Sequence, residues 1–206
     1  MPGTNLTRAE AAERAALLDV VSYDVQLDLT TGPTTFASTT TVVFTAATPG
    51  ATTFADLVGA DVHEITLNGT SLDPQAAYAD SRITLPDLAA ENVLVVRADC
   101  AYSHTGEGLH RFVDPADDRV YTYTQFEVPD ARRVFTTFEQ PDLKATFTFH
   151  VTAPEGWTVV SNSPTPKPEA ASDGTAVWHF EPTKRMSTYI TAIIAGEYHG
   201  VFDTYE

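Results

Sequence analysis

From Ser22 onward the chain alternates between apolar and polar positions. Tyr23, Val25, Leu27 and Leu29 are apolar, and Asp24, Gln26 and Asp28 stand between them. A period of two predicts a strand with one buried and one wet face. Runs rich in threonine and valine continue the pattern at 37–45, 51–55, 62–67, 82–85 and 93–98. They resume at 120–124, 145–152, 158–162, 176–181 and 188–195. Turn signals separate the runs: 31–33, Pro49-Gly50, Asn68-Gly69, 85–87, 154–157 and the proline-bearing loop 163–174. Asn68-Gly69 is the strongest hairpin signal, because both residue types tolerate the positive φ of a type I′ turn. No helical crossover is readable between strands. The predicted fold class is therefore all-β, mainly antiparallel, a β-sandwich domain.

One helix is predicted, near the start. Thr7-Arg8-Ala9-Glu10 fits a capping box, and alanine-rich sequence follows to Leu18. Glu10 and Arg14 stand four apart, the spacing of a helical ion pair, and Leu6, Ala11, Ala15 and Leu18 share roughly one face. The expected organisation is a helical segment over 1–19 and a β domain over 20–206. Tyr198, Gly200, Phe202 and Thr204 alternate with their neighbours and no stop signal precedes Glu206. The chain is expected to end in or just after a strand, as a piece of a longer protein.

The 206 residues carry 12 basic and 28 acidic side chains, a net charge of −16. That balance argues against nucleic acid and anionic membranes as partners. Apolar residues make up 43%, a globular share. The single cysteine, Cys100, reads as a small core residue and cannot form an internal disulfide. No run of 18 apolar residues exists, and residues 1–7 lack the apolar core of a secretory signal. A cytoplasmic protein is expected.

Candidate chemistry is thin. His63-Glu64 begins a zinc-protease motif but Leu67 stands where its second histidine belongs, within a strand pattern. The other histidines are His104, His110, His150, His179 and His199. His104 and His110 flank a glycine-containing loop and leave paired ligation open beside plain loop polarity. Asp114, Asp117 and Asp118 lack calcium-loop spacing and read as a solvated turn. Tyr121, Tyr123, Trp157 and Trp178 suit either a stacking platform or core packing.

The segment from Tyr121 to Ala145 stands apart. It opens as a strand, then becomes dense in charge and broken by prolines. Gln125 and Glu127 are two apart and point to one face, with Phe126 on the other. A carboxylate so placed suits an ammonium group; a wet sheet face reads the same way. Glu127 with Asp130 or Glu139 also leaves a two-carboxylate glycosidase open.

Thr124-Gln125-Phe126-Glu127, Pro129-Asp130-Ala131-Arg132-Arg133, Phe135 and the stretch from Phe138 to Ala145 resemble the N-terminal domain of the M1 family of zinc aminopeptidases, the aminopeptidase N type. Residues 6–30 and 108–121 are similar to its actinobacterial branch, and Asn162-Ser163 and Ser187-Thr188-Tyr189 match later family positions. The resemblance covers nearly the whole chain; the block 125–145 is its specific part. It implies a saddle-shaped, largely antiparallel β domain packed on a catalytic domain. It further implies that Glu127 binds the substrate's α-ammonium and that Gln125 lines the first subsite. Arg132 and Arg133 would hold the loop by ion pairing. The family's zinc-binding His-Glu-x-x-His helix is not in this sequence, so the zinc of the parent enzyme, its ligands and all catalytic residues are expected outside this chain. The implied partners are the peptide N-terminus and the protein's own catalytic domain. The implied role is substrate anchoring, without catalysis by this chain alone; a stand-alone β-sandwich binding module is the alternative.

Overall fold

A computed structural model describes residues 5–171, 174–201 and 203–205. Helix α1 spans Arg8–Leu17. The capping box is present: the Glu10 amide donates to the Thr7 hydroxyl at 3.2 Å and the Thr7 amide donates to the Glu10 carboxylate at 2.8 Å. Leu18 is already extended, so the helix stops one residue earlier than predicted.

Among the described residues fifteen strands follow. They are β1 (Leu18–Asp28), β2 (Thr35–Ala46), β3 (Thr53–Asp56), β4 (Asp61–Leu67), β5 (Thr70–Leu72), β6 (Tyr78–Ala79), β7 (Arg82–Leu85) and β8 (Glu91–Ala101). Then come β9 (Gly108–Val113), β10 (Val120–Gln125), β11 (Thr146–Pro154), β12 (Thr158–Ser161), β13 (Glu169–Ala170), β14 (Thr175–His179) and β15 (Ile193–Gly196). A four-residue helix, α2 (Pro74–Ala77), is capped by Asp73.

The order β13-β14-β11-β1-β2-β8-β4-β5 makes an eight-stranded sheet. Strands β12-β15-β10-β9 form a second sheet and β3-β7-β6 a third. Every pairing between these strands is antiparallel except β1 with β11, which joins residues 22–28 to 146–152 in parallel. The mainly antiparallel all-β prediction holds.

The period of two explains which rows are buried. Tyr23, Val25 and Leu27 are buried while Asp24, Gln26 and Asp28 face outward. Phe147, Phe149 and Val151 on β11 fall in the same inward row, with Tyr23 and Phe147 stacked at 4.8 Å. Residues 126–143 lie across this inner face. Phe135 meets Tyr23, Phe126, Phe147 and Phe149 edge-on, and Phe44 meets Phe138. The Tyr23 hydroxyl accepts the Phe138 amide at 3.0 Å; burial raises its ionisation well above the ordinary range.

Some expectations are corrected. The stretch 188–195 is not one strand: Thr188–Ile190 is a 3-10 turn and β15 starts at Ile193. The turn is kept because the Thr188 hydroxyl donates to the buried Glu139 carboxylate. Strands β9, β5, β6 and β13 are additional to the predicted set. Residues 198–201 and 203–205 form no strand; Phe202 and Glu206 lie outside the described residues. At Gly196 a Cβ would stand 2.5 Å from the Val120 carbonyl, and beyond it the Glu197 amide closes on that same carbonyl. Tyr198 then folds back against Tyr121.

Candidate functional site

Strand β10 pairs with β9 on one side and β15 on the other. Its even positions turn inward: Thr122 is fully buried and Thr124 accepts the Ile193 amide at 2.9 Å. Its odd positions, Tyr121, Tyr123 and Gln125, face outward. The strand ends at Gln125; Glu127 stands just past it, at the start of a turn. Phe126 is buried to 2% between them and pins the chain to the aromatic core. Gln125 and Glu127 are both exposed. Among the described residues neither side chain has a hydrogen-bond or ion-pair partner.

The turn after Glu127 is held from several sides. The Arg132 guanidinium donates to the Pro129 carbonyl at 2.8 Å, and its backbone amide donates to Glu139 at 2.8 Å. Arg133 pairs with Asp130 at 2.6 Å and with Glu107 at 3.4 Å. The Arg132 carbonyl accepts the Val58 amide at 2.8 Å. Arg133 thus acts by ion pairing. Arg132 acts by hydrogen bonds to backbone, with burial lowering its pKa.

Glu139 is 5% exposed. Burial raises its pKa, opposed by hydrogen bonds from Thr188 and the Arg132 amide. Its two oxygens are spent on Thr188, Thr137 and Arg132, and Asp130 is spent on Arg133. Two free carboxylates therefore do not face a common cleft beside Glu127, and the glycosidase reading has no site.

The remaining candidates scatter. Trp178 is buried, Trp157 is half-buried, and only Tyr123 of the four aromatics is substantially exposed, so they form no platform. His104 Nδ1 is taken by the Arg111 carbonyl and His110 Nδ1 accepts the Gly106 amide, so the two rings do not converge on an ion. His63 pairs with Asp99 across β4 and β8. His199 is exposed. Asp114 and Asp117 cap their own turn. Cys100 is fully buried and its thiol is pushed up to about 12.

Among the described residues no group of three or more His, Cys, Asp or Glu side chains converges to hold a metal. The residues here do not fit the zinc site of a metallopeptidase. No described helix is long and apolar enough to cross a membrane.

The family model for the peptidase M1 N-terminal domain matches residues 20–190. The chain belongs to this family. An aminopeptidase N from Streptomyces lividans is 61% identical over 209 aligned residues, covering 100% of this chain and 24% of that protein. A probable aminopeptidase 1 from Saccharolobus solfataricus is 26% identical over 154 residues, 71% of this chain and 20% of that protein. An aminopeptidase N from Acetobacter pasteurianus is 39% identical over 80 residues, 38% of this chain and 22% of that protein. The M1 domain described here spans about a quarter of the length of these curated relatives. The match includes β10, the Glu127 turn and the buried Glu139 support.

Two features of this M1 domain escaped sequence reasoning. Arg14 is buried against Asp56 at 2.7 Å and Gln140 at 3.1 Å, a web that ties α1 to the segment behind the Glu127 turn. An arginine in an alanine-rich helix gives no sign of burial. The outer face of the β12-β15-β10-β9 sheet carries exposed Val160, Ile194, Tyr123 and Phe112 in neighbouring strands. Period-two alternation in each strand hints at this row, but only the register aligns it with Gln125.

Proposed function

We propose that this chain is the substrate-anchoring and structural domain of a zinc aminopeptidase that removes N-terminal amino acids from peptides. Glu127 would bind the free α-ammonium of the substrate and Gln125 would line the first subsite. The observation that carries this reading is the placement of Glu127: exposed, unpartnered among the described residues, and set at the start of a turn braced through Pro129, Asp130, Arg132 and Arg133. A carboxylate without an internal partner keeps its full attraction for a cation. A rigid turn lets that attraction fix the peptide's position rather than be spent on ordering a loop.

The zinc of the parent enzyme would supply the hydrolytic chemistry, with ligands outside this chain. This chain's own part is to hold the amino terminus and exclude substrates that lack one. Its partners would be the peptide and the catalytic domain of the same protein. The row Val160, Ile194, Tyr123 and Phe112 shares a sheet face with Gln125 and is the surface we assign to that domain. The family reading and the single cysteine favour the cytoplasm as its location.

Two measurements test the proposal. Glu127→Ala in the full-length enzyme should reduce kcat/KM by roughly 30- to 1,000-fold, the loss of about 2–4 kcal/mol expected for one side of a desolvated charge pair. Kinetics equal to the wild type would remove the anchor. The 206-residue chain alone, given zinc and an aminoacyl-anilide, should show no turnover above background. Turnover would place catalytic groups within this chain.

A further inference from the structure

The outer face of the eight-stranded sheet carries a second cluster that the peptide site does not use. His150 on β11 and His179 on β14 are direct cross-strand partners. The Phe180 amide donates to the Phe149 carbonyl at the flanking position. His150 and His179 therefore occupy the non-hydrogen-bonded position of the ladder, where facing side chains stand closest. Their Nδ1 atoms lie 2.7 Å apart. On the far side of the first ring, His150 Nε2 lies 3.1 Å from the Asp24 carboxylate on β1. His179 Nε2 lies 4.0 Å from Glu169.

The proton positions follow from these partners. Asp24 accepts from His150 Nε2–H, so His150 Nδ1 presents a lone pair. His179 then donates its Nδ1–H to that lone pair across the 2.7 Å contact. Its Nε2, 4.0 Å from Glu169, can take the proton in exchange, and both Nδ1 lone pairs then face the same point. A cation that displaces the bridging proton can ligate both. An imidazole whose outer N–H is fixed by a carboxylate is the arrangement that orients histidine ligands at metal centres.

We infer that His150 and His179 form a two-imidazole site for a divalent transition-metal cation of borderline softness, such as zinc, nickel or copper, with Asp24 as the positioning residue behind His150. Metal–nitrogen bonds of about 2.0–2.1 Å put two nitrogens about 2.9 Å apart at a right angle and about 3.3 Å apart in a tetrahedron. The rings need to separate by only a few tenths of an ångström to reach the smaller value. Both line an open groove of about 410 Å³ with Gln26, Asp28, Thr39 and Thr152. Water fills the other coordination positions there, and these polar side chains can hold it. The net charge of −16 adds a general attraction for cations.

The test uses the 206-residue chain and zinc chloride alone. Isothermal titration is expected to show one zinc per chain. His150→Gln and His179→Gln should each weaken it at least 10-fold, and Asp24→Asn roughly 10-fold with the stoichiometry kept. His63→Gln, on the same sheet but away from the pair, should leave binding unchanged. Nitrogen-15 spectra of the wild-type imidazoles should show zinc shifting Nδ1 of both rings. Absence of zinc binding at millimolar concentration, or binding unchanged in both histidine variants, would overturn the site. So would zinc shifts confined to Nε2. The nitrogen-15 readout needs no variant and decides the matter even if a substitution harms folding.

Discussion

Glu10 and Arg14 show how far spacing alone reaches. Four residues apart on a helix, they invite an internal ion pair. Instead Glu10 pairs with Arg82 at 2.6 Å, and Arg14 pairs with Asp56 from a position 1% exposed. The capping box was legible because all its parts are local. The tertiary partners were not, because nothing in a helix period encodes a strand 70 residues away. Two predictions follow at this scale. Hydrogen bonds from Arg82 and Thr7 lower the Glu10 pKa to about 2 from 4.5. A carboxylate so depressed stabilises the fold above its unfolded pKa, and that stability is lost as pH falls through about 2. The side chain is 29% exposed, so solvent screening keeps the gain small. Carbon-13 titration should place the Glu10 midpoint near 2, and Arg82→Gln should move it up toward 4.5. The second concerns Arg14→Leu. It leaves the Asp56 carboxylate buried without its ion-pair partner, keeping the hydrogen bond from the Glu139 amide. Such a change costs about 3–5 kcal/mol. Chemical denaturation should show that loss, with part recovered when Asp56→Asn is added.

At the scale of elements, strands with strict alternation were readable and short or interrupted ones were not. Asn68 and Gly69 take φ of 52° and 80°, and the predicted hairpin joins β4 to β5. The stretch 188–195 has strand composition throughout, yet a buried carboxylate captures Thr188 and breaks it. The Gln125/Glu127 face was legible for the same reason as the strands: Phe126 is apolar and its neighbours are polar. What held the turn rigid was not legible, since Glu107, Val58 and Glu139 reach it from three other segments. Gly108 connects these observations. It pairs with Gln125 in the ladder, has φ of 63°, and a Cβ there would stand 3.0 Å from Cβ of Arg133. Gly108→Ala combines a disfavoured backbone with a contact that displaces Arg133 and loosens the turn bearing Glu127. We expect a loss of about 1–3 kcal/mol, and faster amide exchange over 127–133 than in the wild type. Exchange unchanged in that segment would show that Arg133 does not brace the turn.

At the scale of the molecule, the decisive link is the parallel pairing of β1 with β11. It joins positions more than a hundred residues apart and sets the aromatic rows Tyr23, Phe147 and Phe149 side by side. The chain therefore cannot be divided within the β region without opening its core. Ending it at Leu143 removes β11 and β14, leaves β1 as a long unpaired edge, and exposes Phe135 on the side where Phe147 and Phe149 stood. Such an edge is prone to association rather than independent folding. Removing only 199–206 is different. Val201 and Tyr205 are 85% and 100% exposed, and among the described residues the last side chain bonded to the sheet is Tyr198, whose hydroxyl donates to the Thr122 carbonyl at 3.2 Å. A chain ending at Tyr198 should keep its melting temperature within a few degrees, whereas one ending at Leu143 should lose its cooperative transition and its dispersed amide spectrum. A cooperative melt in the shorter piece would mean that the β1–β11 seam is peripheral to stability, and with it the rigid support that holds Glu127 in place.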